Sequence, residues 1–491
     1  MKRLFYTLLF CLPCVLIACG GSDDTLGGDD NPPVVVPPDE ETVDSRLLYN
    51  GIRLPEQWPP VRSSSSELEK GMSPFYLSNK PSVINISVGR QLFVDNFLIE
   101  STNLKRTFYY PEYYSGNPIL TPEQDWEKTG TKGAAFAAPF SDGVWYDEKE
   151  GKYKMWYMAG GGSYATNGAG ITCYAESTDG IRWTKPTLSI VAGTNIVDYN
   201  SERDASVIWM DKQESNASKR YKMFLVARES GKWRYHYKTS PDGKVWRAAA
   251  QSEPIADRST VYKNPFRNVW VYSMRHNVRV NANKLVRARD YNENADPEAG
   301  TKKAEALLSA FWFGPWANEQ RHTDYPNIAP AIYNQDATPY ESIMLGFFSV
   351  WQGPENDVCA SDNVIKRNQV MVGYSRDGYS WFREDMNPFH AVNTTTSDAW
   401  NQGNLQSVAG APLIVGDKLY FYLSGRRLRG TQEITTTGLA MLRRDGFASM
   451  KGTGELQTPL LKFDGSYFFV NANVTGEMKV ELLDSDNKII E

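Results

Sequence analysis

Acidic residues recur directly ahead of several aromatic segments of the chain. Asp142, Asp204, Asp257 and Asp336 stand at four such places, and residues 401–404 put asparagine and glutamine at a fifth. One Asp in such a position is commonly a turn former. Several carboxylates that face one pocket repel each other and separate their pKa values, so a proton donor and an ionised partner coexist near neutral pH. Hydrolysis of a glycosidic bond uses such a pair.

The elements that must position these carboxylates are predicted from a repeat. Five aromatic segments follow charged or glycine-containing turns, with a mean spacing of about 66 residues that indicates a repeated unit. Because aromatic and β-branched residues favour strands, each segment is predicted to be the second strand of such a unit. The segments are Lys152–Tyr157, Arg220–Leu225, Asn268–Tyr272, Ile343–Phe348 and Lys418–Tyr422.

Asp-Gly pairs supply a second repeated signal. They begin at Asp179, Asp242, Asp377 and Asp445, which are 63, 135 and 68 residues apart. Asp-Gly favours hairpin turns because both residues tolerate positive φ. The long middle interval predicts one unit without its turn, and Asp290 is expected to mark the leftover position.

A ring of four-stranded sheets accounts for the repeat, since radial repetition protects strand edges. The predicted fold class is all-β, a five-bladed β-propeller over residues 134–450, and the alternative is one long β-sandwich or two in tandem. Residues 61–133 are predicted to pack on the propeller, with a strand at Arg90–Asp95. Residues 451–491 are predicted to be a short C-terminal β appendage of two or three strands, among them Tyr467–Val470 and Met478–Leu482. This appendage either packs on the propeller or is an incomplete sandwich.

Short motifs resemble one family of propellers. Arg203-Asp204 resembles the Arg-Asp element of the five-bladed propeller glycosidases that include invertases, levansucrases and arabinanases. Asp142 with the following Gly-Val-Trp is similar to their first-blade Asp and its apolar strand. Asn117-Pro-Ile-Leu is similar to a segment of that superfamily and of related mannoside phosphorylases. The resemblance covers roughly residues 85–450.

The resemblance implies a role for each carboxylate. Asp142 would be the nucleophile or base, and Asp204 would stabilise the transition state and orient the acid. The family's acid is a Glu of the third blade, where this sequence has Asp257. Glu341 is a competing acid, but five residues of extended strand beyond Asp336 would carry it about 16 Å away, to the far mouth of the channel. Asp257 is therefore favoured over Glu341.

Candidate substrate-binding residues stand near those carboxylates. The arginines are expected either to keep carboxylates ionised and bind an acidic sugar, or to form structural ion pairs. Tryptophan offers an aromatic face to a sugar, although most tryptophans of such a fold pack between blades. The candidates are Arg203, Arg258, Asp336, Trp400, Gln402 and Asn404.

The first residues of the chain predict export. Lys2 and Arg3 precede about 15 apolar residues, fewer than a membrane span needs, so residues 1–18 are predicted to be a signal peptide. The sequence Leu-Ile-Ala-Cys that ends at Cys19 resembles a bacterial lipobox, which implies lipidation of Cys19, and an ordinary signal peptide is the alternative. The acidic run that follows resembles the surface-export signal of Bacteroidetes lipoproteins. Residues 19–60, rich in Gly, Asp and Pro, are predicted to be a flexible tether.

The composition narrows the set of partners. The 491 residues include 53 basic and 58 acidic side chains without a basic stripe, which argues against nucleic acid. Beyond the signal peptide the cysteines form no Cys-x-x-Cys pattern, and the four histidines form no zinc motif, so no metal site is expected. No cofactor is predicted, and a structural cation in the channel is left open.

These features together predict a glycoside hydrolase. It would be a monomeric outer-membrane lipoprotein on the cell surface, with an external poly- or oligosaccharide as substrate. One alternative is a glycan-binding lipoprotein without catalysis. A second is a glycoside phosphorylase, which would need Arg, Lys and His in the cavity. A third is a structural or adhesion propeller.

Overall fold

The architecture is almost entirely β. Strands hold 44% of the residues and helices 7%, which confirms the predicted all-β class. None of the helices in the described part of the chain is long and apolar enough to cross a membrane. The structure is a computed structural model that describes residues 7–11, 44–128, 130, 134–165, 170–281, 284–306, 308–396 and 398–490.

Short elements precede residue 134. They are β1 (Thr7–Cys11), α1 (Ser64–Glu67), α2 (Phe75–Ser78), β2 (Val83–Asn85), β3 (Ser101–Thr102), β4 (Lys105–Phe108), β5 (Glu112–Tyr113) and α3 (Asp125–Lys128).

Five groups of strands, called units 1 to 5, follow in chain order. Unit 1 contains β6 (Ala135–Ala138), β7 (Val144–Asp147), β8 (Lys152–Ala159), β9 (Ile171–Ser177) and β10 (Ile196–Asp198). Unit 2 contains β11 (Glu202–Met210), β12 (Tyr221–Glu229), β13 (Lys232–Ser240) and β14 (Arg247–Gln251). Unit 3 contains β15 (Thr260–Asn264), β16 (Val269–Asn281), β17 (Lys284–Asn294), α4 (Pro297–Lys303) and β18 (Ala310–Phe313).

The last two units and the C-terminal strands complete the chain. Unit 4 contains β19 (Ala331–Tyr340), β20 (Ile343–Gly353), α5 (Asn356–Asp362) and β21 (Arg367–Ser375). Unit 5 contains β22 (Asn404–Val408), β23 (Leu413–Val415), β24 (Lys418–Arg429) and β25 (Gln432–Arg443). The remaining strands are β26 (Ala448–Lys451), β27 (Leu456–Gln457), β28 (Leu460–Lys462) and β29 (Lys479–Leu483), and single 3-10 turns span Gly162–Tyr164 and Ala217–Lys219.

Neighbouring strands of each unit pair antiparallel. The five aromatic segments lie in β8, β12, β16, β20 and β24, as predicted. Almost every side chain of β20 is buried. Since successive side chains of a strand point to opposite faces, neighbouring elements cover this strand on both sides.

Three of the Asp-Gly turns are built alike. Ser177 Oγ accepts a hydrogen bond from the backbone N–H of Gly180 at 2.9 Å, and Asp179 Oδ1 accepts from the two amides beyond the glycine. The same bonds recur at residues 240–245 and 375–380. Only the glycine has positive φ in these turns, +72° to +75°. They therefore differ from the predicted hairpin turn with two positive φ values.

Each of these turns, and the fourth at Asp445, lies against the unit that precedes it. An aromatic side chain of that unit donates a hydrogen bond to the turn. The pairs are Tyr422 with the Gly180 carbonyl (2.8 Å), Trp156 with the Gly243 carbonyl (2.6 Å), Trp312 with the Tyr379 carbonyl (3.0 Å) and Tyr340 with the Asp445 carboxylate (2.6 Å). The turn of unit 1 thus lies on unit 5, and β6 also pairs in parallel with β25. These contacts therefore also join the first unit to the last.

Unit 3 has no such turn. Asp290, expected to mark its place, lies inside β17, where its carboxylate contacts His276 Nδ1 at 2.9 Å. That prediction is wrong because β16 and β17 form an unbroken hairpin through this region. Instead α4 follows β17 and packs on β13 and β14 of unit 2.

The N-terminal and C-terminal segments pack together. β2 pairs in parallel with β28, and β29, β1, β27 and β3 form a four-stranded sheet. Neither Arg90–Asp95 nor Tyr467–Val470 forms the predicted strand. Asp95 is instead buried, and two nitrogens of Arg376 donate to it. Cys19 and most of the predicted signal peptide and tether lie outside the described residues.

Candidate active site

Two arginine–carboxylate pairs join successive units, and a third lies within unit 3. Asp142 lies between β6 and β7, and its side chain has no exposed area. Arg203, at the start of β11, donates from Nη2 to Asp142 Oδ1 at 2.8 Å and from Nη1 to Thr172 Oγ1 at 2.6 Å. Burial raises the pKa of Asp142, and the Arg203 charge limits that rise.

The second pair joins units 2 and 3. Asp204 Oδ2 accepts a hydrogen bond from the backbone N–H of Arg258 at 2.7 Å, and its Oδ1 lies 2.9 Å from Arg258 Nη2. Arg258 has a φ of +57°, a left-handed conformation that costs a residue with a Cβ about 1 kcal/mol or more. Arg289 Nη1 donates to the Arg258 carbonyl at 2.9 Å, so both sides of this residue are held. Strained backbone of this kind clusters at functional sites.

The third pair lies beside the second. Asp257 directly precedes Arg258 and forms an ion pair with Arg275 of β16. The exposed fraction of the carboxylate side chains increases from 0% at Asp142 to 13% at Asp204 and 24% at Asp257. Of the three, Asp204 and Asp257 are therefore the carboxylates that a dissolved substrate can reach.

Asp336 belongs to a second polar cluster. Its Oδ2 accepts hydrogen bonds from Asn334 Nδ2 at 3.0 Å and from the backbone N–H of Val408 at 3.2 Å. Asn334 Nδ2 also contacts the hydroxyls of Ser141 and Ser407. Burial raises the pKa of Asp336 to about 6. The cavity against Asp336 and Ser141 measures about 20 Å³, which is room for a water and not for a sugar ring.

Glu341 lies apart from these carboxylates. It stands in the turn between β19 and β20, with a φ of +50°. Its Oε2 accepts from the backbone N–H of Arg90 at 2.9 Å, and its Oε1 lies 3.1 Å from Arg90 Nη1. Arg444 adds a longer contact of 3.6 Å. Glu341 therefore anchors the N-terminal segment at the other end of β19.

Trp400 is enclosed by its neighbours. A Cβ added to Gly425 or to Gly438 would meet its ring within 2.2 Å, so both glycines lie flat against the indole. Tyr113 contacts the ring at 5.7 Å between centroids. These contacts leave 9% of Trp400 exposed and make it a packing residue in this arrangement.

Asn404 and Gln402 stand near the start of β22. Asn404 Nδ2 donates to the Lys366 carbonyl at 2.8 Å. Asn404 Oδ1 and Gln402 Oε1 are buried and accept no hydrogen bond from any described residue. These two oxygens are acceptors that a hydroxyl group could satisfy.

A basic cluster at Tyr333 escaped the sequence analysis. The Tyr333 ring centroid lies 4.7 Å from Arg287 Cζ and 5.7 Å from both Arg258 Cζ and Lys366 Nζ. These groups come from units 3 and 4 and meet at the third residue of β19. We call Tyr333, Arg258, Arg287, Lys366 and Arg426 the Tyr333 cluster.

Arg426 of β24 extends this cluster to unit 5. Its Cζ lies 5.4 Å from the ring centroid of Phe140, and Arg258 Cζ lies 5.6 Å from the same ring. Burial alone would raise the pKa of Tyr333, but the surrounding positive charges outweigh it and lower that pKa to about 8. The cluster is therefore a site of concentrated positive charge.

Metal ligands are not grouped in the described part of the chain. No set of three His, Cys, Asp or Glu side chains there is arranged to hold an ion. Cys173 and Cys359 are free thiols. The groups described above offer the chemistry of carboxylates, guanidinium groups and one phenol.

Comparisons with known proteins returned structures and no family. No protein-family model and no curated protein matches the chain. An N-acetylgalactosamine deacetylase from F. plautii, solved with blood group B trisaccharide, is 11% identical, with 66% of this chain and 96% of that chain covered and a TM-score of 0.40. A glycosyl hydrolase from Bacteroides ovatus is 12% identical, with coverages of 71% and 97% and a TM-score of 0.41. A fructofuranosidase from Schwanniomyces occidentalis, complexed with fructosylnystose, is 10% identical, with coverages of 74% and 65% and a TM-score of 0.37. Identities and TM-scores this low assign this chain neither a substrate nor a reaction.

Proposed function

We propose that the protein is a glycoside hydrolase that cleaves glycosidic bonds of an external poly- or oligosaccharide. Its five units would be the blades of a five-bladed β-propeller, with the site at one mouth of the channel. The main support is that Asp204 and Asp257, carboxylates of neighbouring units, both adjoin Arg258 and are both partly exposed. Two carboxylates at one mouth are the groups that this reaction uses.

The proposal assigns each carboxylate a role. Asp257 would leave its ion pair with Arg275, take up a proton and donate it to the leaving oxygen. Asp204 would stay ionised beside Arg258 and stabilise positive charge on the sugar. Asp142 would be the nucleophile or base. Because its side chain has no exposed area, contact with a sugar requires the residues that cover it to move.

A glycan panel tests this proposal. Purified protein should release reducing sugar from at least one plant or host glycan, and Asp204→Asn and Asp257→Asn should each lower kcat by about 100-fold or more, as loss of acid–base groups does. Asp486→Asn, at an exposed carboxylate far from the site, is the matched control. Binding of a glycan without turnover of any would contradict the hydrolase and favour a binding protein.

The role of Asp142 needs a separate measurement, since its loss also leaves Arg203 unpaired. Azide can replace a missing carboxylate nucleophile, so Asp142→Gly with azide should regain turnover and form a glycosyl azide. No rescue would mean that Asp142 only holds Arg203 in place.

A glycoside phosphorylase is the second candidate, and the Tyr333 cluster is the observation that favours it. Phosphate binding calls for grouped Arg and Lys side chains. Of the four histidines, His276 contacts Asp290, and His390 packs on Phe389 and Phe421. Turnover that requires inorganic phosphate and yields a sugar phosphate would select this candidate.

A further inference from the structure

Positive charge in the Tyr333 cluster is only partly balanced. Arg258 and Arg426 each have a carboxylate partner, Asp204 and Glu433 respectively. Arg287 and Lys366 form no ion pair within the described residues. Arg287 Nη1 is also buried there without a hydrogen-bond partner.

Unpaired positive charges and a buried donor without a partner lower the stability of the folded protein unless a bound group compensates them. Like charges held close together repel, and a buried donor without a partner loses its hydration. The neighbouring Arg275 shows the effect: burial lowers its pKa, and the charge of Arg287 adds to the shift, to about 10. A bound anion would remove both costs at once.

The donors present narrow the chemistry of that anion. Guanidinium groups present forked N–H pairs that match the oxygens of carboxylate, sulfate and phosphate. Arg258 belongs both to this cluster and to the carboxylate site, because its backbone N–H is bound by Asp204 and Asp257 is its chain neighbour. An anion held here would be next to the bond that the carboxylates act on.

We propose that the Tyr333 cluster binds an oxyanion, the carboxylate or sulfate of an acidic sugar, so that the glycan recognised is an anionic one. The inference rests on the proposed function for its substrate class. Free phosphate shares the same chemistry, and the experiment separates the two sources.

Calorimetric titration of the full chain tests the proposal. The probes are methyl glucuronide, a sulfated methyl glycoside, neutral methyl glucoside and inorganic phosphate. The acidic glycosides should bind about tenfold or more tighter than the neutral one, a difference of about 1.4 kcal/mol. Arg287→Gln and Lys366→Gln should each remove about that advantage, because each deletes one unpaired charge.

Two exposed residues supply matched controls. Arg247→Gln and Lys303→Gln delete a charge of the same kind outside the cluster and should leave every affinity unchanged. Equal binding of acidic and neutral glycosides, or unchanged affinity in both cluster variants, would overturn the proposal. Binding of phosphate but of neither acidic glycoside would show that the bound oxyanion does not come from an acidic sugar. The titration measures binding and not turnover. Binding of acidic glycosides without cleavage of any would therefore support this inference and contradict the proposed function.

Tyrosine ionisation gives a second measurement in the unaltered protein. Ultraviolet absorbance should show one phenol ionising near pH 8, and Tyr333→Phe should remove that step. Saturating glucuronide should raise the midpoint, because a bound anion disfavours phenolate. An unchanged midpoint at saturation would place the anion elsewhere and overturn the proposal.

Discussion

The buried carboxyl groups of the inner strands differ in what balances their charge. Asp142 has the guanidinium of Arg203 beside it, whereas the neighbours of Asp336 are an amide, hydroxyls and a backbone N–H. Burial raises the pKa of both groups, for Asp336 from 3.8 to about 6. A folded-state pKa above the unfolded value means that the unfolded chain loses its proton first. Stability from this group is therefore greatest at low pH and falls as pH rises from about 4 to about 6.

Asp336→Asn should stabilise the protein at neutral pH. An amide oxygen can accept both hydrogen bonds that now go to Oδ2, and it carries no charge to bury. The variant should gain about 3 kcal/mol of unfolding free energy over the parent near pH 7 and little near pH 4, as two pKa units imply. Urea unfolding at both pH values measures this difference. A gain of the same size at both would show that the carboxyl charge is not its cause.

Sequence reasoning located the carboxylates better than their surroundings. An Asp ahead of an aromatic strand is predicted to mark the start of the preceding strand. Asp142, Asp204 and Asp257 lie within three residues of the start of a strand, whereas Asp336 lies in the middle of β19. The length of five residues of extended strand predicted that Glu341 lies apart from these carboxylates. The spacing of the strands does not tell which side chains of β19, or of the loop before β21, lie near Arg258. Tyr333 and Lys366 were therefore not predicted.

The recurring turn is the element that sets how units meet. Its serine and aspartate satisfy the amides of the turn, and its glycine brings the backbone against a side chain of the preceding unit, which is Tyr422, Trp156 or Asn264. A Cβ on Gly243 would come within 2.3 Å of the Trp156 ring. This glycine is thus required for two reasons, its left-handed conformation and its close contact.

Two alanine substitutions separate those reasons. Gly231 has a φ of +78° like the +75° of Gly243, but nothing lies within 4 Å of its added Cβ. Gly231→Ala should cost about 1 kcal/mol for backbone strain alone. Gly243→Ala should cost about 3 kcal/mol or more, because the buried Trp156 must also move. Thermal unfolding measures the loss of stability in each variant. Equal losses would show that the contact between the turn and Trp156 does not contribute to stability.

Periodicity predicted the elements well where each unit repeats them. The aromatic strands and three of the glycine turns follow from residue type and spacing alone. Unit 3 departs from the pattern, since its long hairpin absorbs Asp290 and α4 takes the place of the turn. Arg287 lies in that same hairpin, so misplacing Asp290 also hid a member of the basic cluster.

At the scale of the whole molecule, the proposed lipid anchor is open to test. When the chain is produced in a Bacteroidetes host fed a labelled fatty acid, the parent should carry label and sediment with membranes. Cys19→Ala should lose both properties. Cys359→Ala, which alters a free thiol outside the leader, should lose neither. Label retained by Cys19→Ala would contradict lipidation at this residue.

The contact of each turn with the preceding unit has a consequence for how the chain could be rearranged. The turn of unit 1 covers Tyr422 of unit 5 just as the turn of unit 2 covers Trp156 of unit 1, and α4 of unit 3 packs on unit 2 in place of a turn. Moving the chain ends to a surface loop between two units would preserve every such contact. Deleting unit 1, unit 4 or unit 5 would expose an aromatic residue of one neighbour and leave the turn of the other without its aromatic contact, so circular permutants should fold where these deletions do not.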